Sequence, residues 1–539
     1  MIQPANPYPR KKVAVVGSGC AGIAALWALN RSPHDVYIYE AEDRLGGHTN
    51  TVEFIKGKYK ALVDTGFIVM NTATYPNFIN FLKRMRVETV PTEMSFSVSR
   101  DRGSFEWAGS SLDTLFCQRG NLLSPKMWRM SFDIVRFNHF ALDVLRAENP
   151  TDETIGEYLE REGYSNAFRD DYLIPMTAAV WSTGPDKCML DFPVDTLIRF
   201  LWNHHLLSTV AARPTWLTIA TGSKSYIDKV MRGFPPNHLR LNTRVTALTH
   251  DANGRLRLHT ENGSSDTFDH VILATHGDQA YSIIRDWATD EERAILQAFR
   301  TSENTAVLHS DTSLMPSSRK AWSSWNYLTT SPPPSPATRS SRTSTTTTTT
   351  VSDVSQQQQK QQQVCVTYDL NTLQHVPRSA FGPVLLTLNP LREPDPASVQ
   401  ARFVYRHPLY TPAAVRAQRL LGRIQNTRGV SYAGAWTGYG FHEDGFTSGL
   451  RVAVEHLGAK VPFEVIDSTF ARGRRPELGV GDWVVRAVVW LVQVFVVGVV
   501  ERLMLMVGVV AAADGGAPRR WTKRVAFEGV NGGVLEERL

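Results

Sequence analysis

Cysteine is scarce: Cys20, Cys117, Cys188 and Cys365 stand far apart in 539 positions, with no CxxC pair and no Cys/His spacing of the metal-knuckle kind. That excludes a disulfide-stapled scaffold and a structural zinc, so free thiols, an intracellular setting and no metal are expected. G-x-S-x-G, H-E-x-x-H and the P-loop are also missing, and nothing argues for hydrolysis or phosphoryl transfer. Charge of one sign is barely in excess. The 58 Lys and Arg against 52 Asp and Glu give +6, without a basic block interleaved with aromatics, so no nucleic-acid partner is expected. The N-terminus, MIQPANPYPRKK, has no apolar run of signal-peptide type behind it, and no cleaved leader is expected.

What is present begins with size. A chain of this length exceeds one ordinary core, and two or three domains are expected. Residues 13 to 47 read as strand, glycine turn, helix and strand: VAVVG, CAGIAALWALNRS, DVYIYE, then RLGG. Gly17, Gly19 and Gly22 form G-x-G-x-x-G at the strand-to-helix junction. The first permits the tight turn, the second a close backbone approach to a pyrophosphate, and the third a close helix-to-sheet contact. The helix N-terminus offers N–H groups and a positive dipole end to phosphates. Glu40 ends the next strand, where a carboxylate accepts hydrogen bonds from ribose hydroxyls. NAD and FAD share this fingerprint, and the glycines alone do not separate them.

Further along, residues 76 to 220 are aromatic-rich with helical periodicity, as in YPNFINFLKRM and WRMSFDIVRFNHFALDVL. LRLNTRVTALTHDANGRLRLHT predicts a hairpin and DHVILAT a buried strand, while VCVTYDLNTLQ and PVLLTLNP read as strands. VSYAGAW to SGLRVAVEHLGA predicts a strand, a glycine-rich turn and a helix. The expected organisation is a discontinuous nucleotide-binding domain of residues 12–75, 221–290 and 428–464, with a substrate domain of 76–220, 291–330 and 364–427. Residues 331–363, rich in Ser, Thr, Pro and Gln, predict a disordered insert. The tail 471–539 holds an apolar segment, 483–513, flanked by arginines on both sides. Its unbroken core is shorter than the ~20 residues of a span, and Arg486, Gln493 and Glu501 share one side of a helix, which fits a surface-lying or re-entrant anchor better than a single span, with a buried Val-rich helix or strand pair as the alternative.

Glu40, Arg44, Gly46 and Gly47 in EAEDRLGGHTNTV resemble the extended FAD fingerprint of the flavin-containing amine oxidase and phytoene desaturase superfamily. VDTGFIVMN (63–71) and YAGAWTGYGFHEDGFTSGLRVA (432–453) resemble two further segments of that superfamily. DTGFIV, SSWNY, TYDLNTLQ, TLNP and GFHEDG together resemble a branch of predicted NAD/FAD-binding proteins, similar to the oxidase-like N-terminal domain of plant cyclopropane fatty acid synthases. The resemblance implies an α/β fold: a Rossmann-like FAD-binding domain of the GR2 type, an interleaved mixed α+β substrate domain and an apolar helical tail.

It also implies FAD as cofactor, lying against Gly17, Gly19, Cys20, Ala21, Gly22 and Glu40, then Arg44, Gly46, Gly47 and His48. Asp64, Thr65 and Gly66 would continue that wall, with Val245 on the strand whose backbone meets the adenine and Ala274 and Thr275 at a strand end; plain strand core is the alternative for Val245 and Ala274. Gly434, Ala435, Glu443, Asp444 and Gly445 are the positions implied at the isoalloxazine end. Cys20 reads as a small residue at a crowded turn.

Flavin performs the hard step, accepting a hydride at N5, so no protein nucleophile is required. Trp436, Tyr439, His442 and Glu443 are the candidate catalytic residues, with His442 either a base titrating near neutrality or a partner of a turn carbonyl, and Glu443 or Asp444 capping the next helix. Ala435 and Trp436 stand where amine oxidases carry a glutamate, and Phe441 where they carry a cage tyrosine, so the resemblance points away from an amine. Three readings follow: an oxidoreductase acting on a lipid-like C–H bond as desaturase, oxidase or isomerase; an amine oxidase with an altered cage; or a non-catalytic FAD-binding adaptor. The expected partners are an apolar small molecule, oxygen or a redox carrier as electron acceptor, and a membrane surface met by the tail.

Overall fold

The computed structural model describes residues 9–147, 153–182, 190–207, 214–331 and 364–500. The expected insert beyond Ser331, the tail beyond residue 500 and Cys188 lie outside the described residues.

A five-stranded parallel sheet sits at the centre of one half, in the order Leu239–Arg240, Asp35–Tyr39, Lys12–Val16, His270–Leu273, Val430–Tyr432. Val13 to Val16 and His270 to Leu273 are buried on both faces, as near-continuous apolar runs in a covered parallel sheet must be. Helix Cys20–Leu29 follows the first strand and is apolar all round, because it is packed on both sides. Helix His442–Arg451 crosses it so closely that a Cβ on Gly449 would stand 2.0 Å from the Ala21 carbonyl oxygen. The hairpin pairs Val245–His250 with Leu256–Thr260, and Ser265–Phe268 extends it to a three-stranded meander.

A seven-stranded mixed sheet forms the other half, in the order Val399–Leu409, Arg300–His309, Leu385–Leu388, Cys365–Asp369, Trp325–Thr329, Phe96–Arg100, Phe105–Ala108. The period-2 alternation of a strand divides its residues between two faces. Trp325, Tyr368, Leu386 and Leu388 share one face with Phe403, Tyr405 and His407. The opposite face carries a buried polar row, in which Ser97 donates to Asn326 (2.9 Å), Asn326 to the Thr367 carbonyl (3.0 Å), and Thr387 meets Thr367 and His309 at 2.7 Å. Short helices including Pro125–Phe140, Ile174–Trp181 and Val194–Asn203 pack around Phe137, Phe168, Phe192 and Phe200.

The tail helix starts earlier than its apolar run suggests. Asp482 accepts from the Gly479 amide and closes a first turn, so the helical segment runs Val480–Val500, 21 residues, with a mean hydropathy of 2.2 over its most apolar 18. This is long and apolar enough to cross a membrane, longer than the unbroken core read from the sequence. Its polar side is turned inward: Arg486, 6% exposed, pairs with Asp143 and lies over Phe140 and Trp483. Val484, Val488, Leu491 and Phe495 are left exposed.

Candidate active site

One continuous cavity of about 1190 Å3 joins the ends of the two sheets. It exceeds the roughly 300–1,000 Å3 of a single-ligand cleft, enough for a dinucleotide and a second molecule. Its first part is a backbone cradle at the carboxyl ends of the parallel strands, where ligands of such sheets bind.

Three glycines shape the cradle in three ways. Gly17 has φ +97°, and a Cβ there would lie 2.6 Å from the Ala274 carbonyl oxygen. A Cβ on Gly22 would stand 2.0 Å from the Gly17 oxygen, so the helix could not approach the turn with any larger residue. Gly19 faces open space, with nothing within 4 Å of a Cβ position, and it is the N-cap of Cys20–Leu29 without a side-chain cap. That N-terminus is free to meet an anion. The Glu40 carboxylate closes the loop, accepting from the Ser18 amide (2.9 Å) and hydroxyl (2.5 Å) and from the Glu42 amide (3.0 Å). Arg44 donates to the Gly47 carbonyl at 2.9 Å, pinning the second glycine pair over the first. A carboxylate at the strand end, an uncapped helix N-terminus and an open glycine are the donor and acceptor set that a dinucleotide requires, and these residues fit FAD.

Most residues singled out by sequence line this cavity: Gly17, Gly19, Cys20, Ala21, Glu40, Arg44, Gly46, Gly47, His48, Thr65, Gly66, Val245, Ala274, Thr275, Gly434, Ala435, Trp436 and His442. Gly22, Asp64, Tyr439, Glu443, Asp444 and Gly445 are not among its lining residues, and each does other work. Asp64 is buried and accepts from Ser223, Thr51 and Gln374, stitching three segments together. Tyr439 accepts the Trp181 indole N–H on its carbonyl (3.0 Å). Glu443 caps a helix other than its own, accepting from the amides of Asn77 and Phe78 at 2.9 Å where Pro76–Arg84 begins. Asp444 accepts from the Phe441 amide and so caps the helix it starts. Burial pushes both carboxyls up to about 7, against hydrogen bonds that oppose the shift. A Cβ on Gly445 would meet the Cys20 sulfur at 2.5 Å, and burial raises that thiol to about 12.

His442 stacks on Phe67 (3.8 Å between centroids) and shares a hydrogen bond with Tyr226 (3.1 Å), which continues to Thr49 (2.8 Å). Burial without a countercharge pushes its pKa down to about 3. It bonds a phenol rather than the turn carbonyl that the sequence offered as one alternative, and burial moves it away from the near-neutral titration that was the other. Trp436 donates to the Thr275 carbonyl (2.9 Å) and packs on Phe299, which fixes the turn to the neighbouring strand end.

Sequence reasoning missed the junction between cradle and chamber. His48 lies 5.1 Å from His407 and 5.0 Å from Tyr405, and 6.0 Å from His276. Asn304 donates to Nδ1 of His407, so the proton of that ring sits on Nε2. Burial lowers the pKa of all three imidazoles, His407 to about 4, and all three are neutral at pH 7. The signal was in the chain: RFVYRHPL alternates Phe403, Tyr405 and His407 with Arg402, Val404 and Arg406, a strand with one aromatic face. The far chamber is walled by Trp181, Phe200, Trp325, Tyr368, Tyr410 and Phe441, residues from six segments.

Residues 20–457 match the model of the family described as flavin containing amine oxidoreductase. Among curated proteins the chain is similar to the flavin-dependent L-tryptophan oxidase RebO of Lentzea aerocolonigenes, 23% identical over 51% of this chain and 56% of that one. The chain therefore spans about half the length of that relative. Among solved structures, cyclohexylamine oxidase from Brevibacterium oxydans IH-35A superposes with TM-score 0.55 at 14% identity, over 84% of this chain and 99% of that one. The CLA-producing fatty acid isomerase from P. acnes does so with TM-score 0.53 at 13% identity, over 84% and 99%. These likenesses show the fold.

Proposed function

Because the chain belongs to the flavin containing amine oxidoreductase family, we propose that it is an FAD-dependent oxidoreductase whose substrate is a lipid-like molecule oxidised, desaturated or isomerised at a C–H bond. When bound, FAD supplies a two-electron acceptor for that bond. In this proposal the segments 12–75, 221–290 and 428–464 serve as the FAD-binding domain, and 76–220, 291–330 and 364–427 as the substrate domain. Gly17, Gly19 and the N-terminus of Cys20–Leu29 hold the pyrophosphate, Glu40 the ribose, and Gly46, Gly47 and His48 cover it. The neutral His442, held by Phe67 and Tyr226, orients rather than ionises.

The observation that carries the substrate reading is the charge distribution of the lining. Glu40, Glu42, Arg44 and Arg244 belong to the cradle, and Glu303, Arg402 and Arg406 are exposed on the two outermost strands at one side of the seven-stranded sheet. The chamber wall itself is aromatic and aliphatic apart from Ser182 and His204, whose pKa burial lowers to about 4. Such walls exclude water and favour apolar ligands. A lipid-like substrate also suits the outward apolar side of Val480–Val500, which we propose rests on a membrane surface.

An amine is the second reading, supported by the relatives' chemistry and by aromatic faces able to hold an ammonium. Anaerobic mixing of the yellow holoprotein with acyl lipids and with amines tests the choice. Bleaching of the flavin by acyl lipids is expected, and bleaching by amines alone would sink the first reading. Fractionation tests the surface: a chain truncated after Leu478 should leave the membrane fraction, and unchanged partitioning would remove the tail from the proposal.

A further inference from the structure

The chamber contains two polar atoms with no use in the fold. The Trp325 indole nitrogen and the Tyr410 hydroxyl are buried and have no hydrogen-bond partner among the described residues, and both residues line the cavity. Tyr410 is 8% exposed, and its hydroxyl lies beside Gly440, where a Cβ would come within 2.7 Å.

The two residues belong to one continuous wall. Trp325 stands edge-on to Tyr368 at 5.0 Å, the Tyr368 hydroxyl is hydrogen-bonded to Ser182, and the adjoining Trp181 ring is 6.3 Å from Tyr410. An indole N–H only donates, and a buried phenol with no acceptor nearby donates as well. A buried donor left unmatched costs more than a made bond returns, so such atoms in a ligand chamber mark where the ligand supplies acceptors.

No Lys, Arg, Asp or Glu of the lining stands on this wall. Asp444, whose charge reaches the Tyr410 phenol, lies outside the lining and is taken up by the Phe441 amide, and His204, packed on Phe200, is no counterion because burial lowers its pKa to about 4. A carboxylate or an ammonium carried into the chamber would lose its water without gaining a partner. A neutral carbonyl or ester oxygen would lose little and satisfy the donors.

We infer that the chamber selects an uncharged lipid bearing acceptor oxygens, an esterified acyl chain, over a fatty-acid anion or an ammonium ion, with Trp325 and Tyr410 as the specificity-determining donors. This rests on the apolar-substrate reading above. It also gives the exposed face of the tail helix a purpose, since esterified chains reside in membranes and free acids exchange through water.

Binding to the FAD-loaded full chain, followed by perturbation of the flavin absorbance, tests the inference with four probes of matched length: methyl oleate, oleate, oleylamine and octadecene. At about pH 8 the ester should bind at least about tenfold more tightly than either charged probe. Trp325→Phe and Tyr410→Phe keep the ring and remove only the donor. Each should weaken the ester about fivefold to tenfold and leave octadecene unchanged, with FAD content preserved as the check on folding. Equal binding of ester and oleate or oleylamine would overturn the inference, as would variants that weaken octadecene as much as the ester, or neither. If ester and octadecene both leave the flavin unperturbed while a short amine bleaches it, the apolar-substrate reading fails first and the inference with it.

Discussion

The cradle and the chamber meet in one cavity but are built from different parts of the chain. The cradle presents mainly backbone: glycines, an uncapped helix N-terminus and the Glu40 carboxylate, most of it from residues 16 to 47. The chamber presents side chains: Trp181, Trp325, Tyr368, Tyr410 and Phe441 come from segments far apart in sequence. A backbone site depends on the absence of side chains at fixed positions, and a side-chain site depends on the packing that delivers them. The first should fail through single added atoms, the second through loss of particular groups.

The largest effect is expected in the cradle. Gly22→Val places atoms where a Cβ would already be 2.0 Å from the Gly17 oxygen, and it should cost about 3 kcal/mol or more and abolish the yellow holoprotein. Gly19→Asp separates fold from cofactor, because that Cβ position is open: thermal melting of the apo chain should barely change while bound FAD is lost. Retention of stoichiometric FAD by Gly19→Asp would show that phosphates do not lie there.

Next comes the strut that Glu443 makes between two helices of one core. Glu443→Ala leaves the amides of Asn77 and Phe78 without an acceptor at a buried helix start, and a loss of about 2–3 kcal/mol is expected in thermal or urea unfolding. A variant as stable as the parent would mean that this helix start finds other partners.

The chamber side should report through pH. His204 and His407 have pKa values lowered to about 4 and His442 to about 3 by burial, whereas unfolded histidines titrate near 6.5. Between those values the unfolded chain binds protons that the folded chain refuses, so stability is present above about pH 6.5 and is lost as pH falls toward 4. Glu443 and Asp444, raised to about 7, act in the opposite sense: the folded chain keeps protons that the unfolded one releases, so stability falls as pH rises from about 4.5 to 7. His407→Asn should flatten the acid limb by up to about 1.4 kcal/mol per pH unit in a melting series, and an unchanged slope would place that ring in contact with water.

The smallest effect belongs to the tail. Asp143→Ala removes the partner of Arg486, and because Asp143 is half exposed the global cost should be about 1 kcal/mol. Limited proteolysis ahead of Val480 should accelerate, with FAD content unchanged. Loss of FAD in this variant would tie the tail to the site.

The legibility of the two regions follows from the same difference. Glycine spacing and Glu40 are local and were read directly, as were the strands that carry them, because a parallel strand buried on both faces is an apolar run and a βαβ unit is continuous in sequence. His442 was found by its neighbourhood but its neutrality was not, since only the packing of Phe67 and Tyr226 around it removes water. Asp64 and Glu443 sit in motifs near the cofactor site yet face away from the cavity, and sequence spacing gives no orientation across a turn.

By itself the sequence determined the dinucleotide cradle, the family resemblance and the apolar tail, because each is written in consecutive residues whose chemistry is local. The tertiary structure alone decided that Arg486 turns inward and the apolar side outward, that three neutral imidazoles stand between cradle and chamber, and that Trp325 and Tyr410 hold unmatched donors on an uncharged wall. Those are properties of contacts between distant segments, where burial and the loss of water set charge and hydrogen bonding, and residue order carries no record of them.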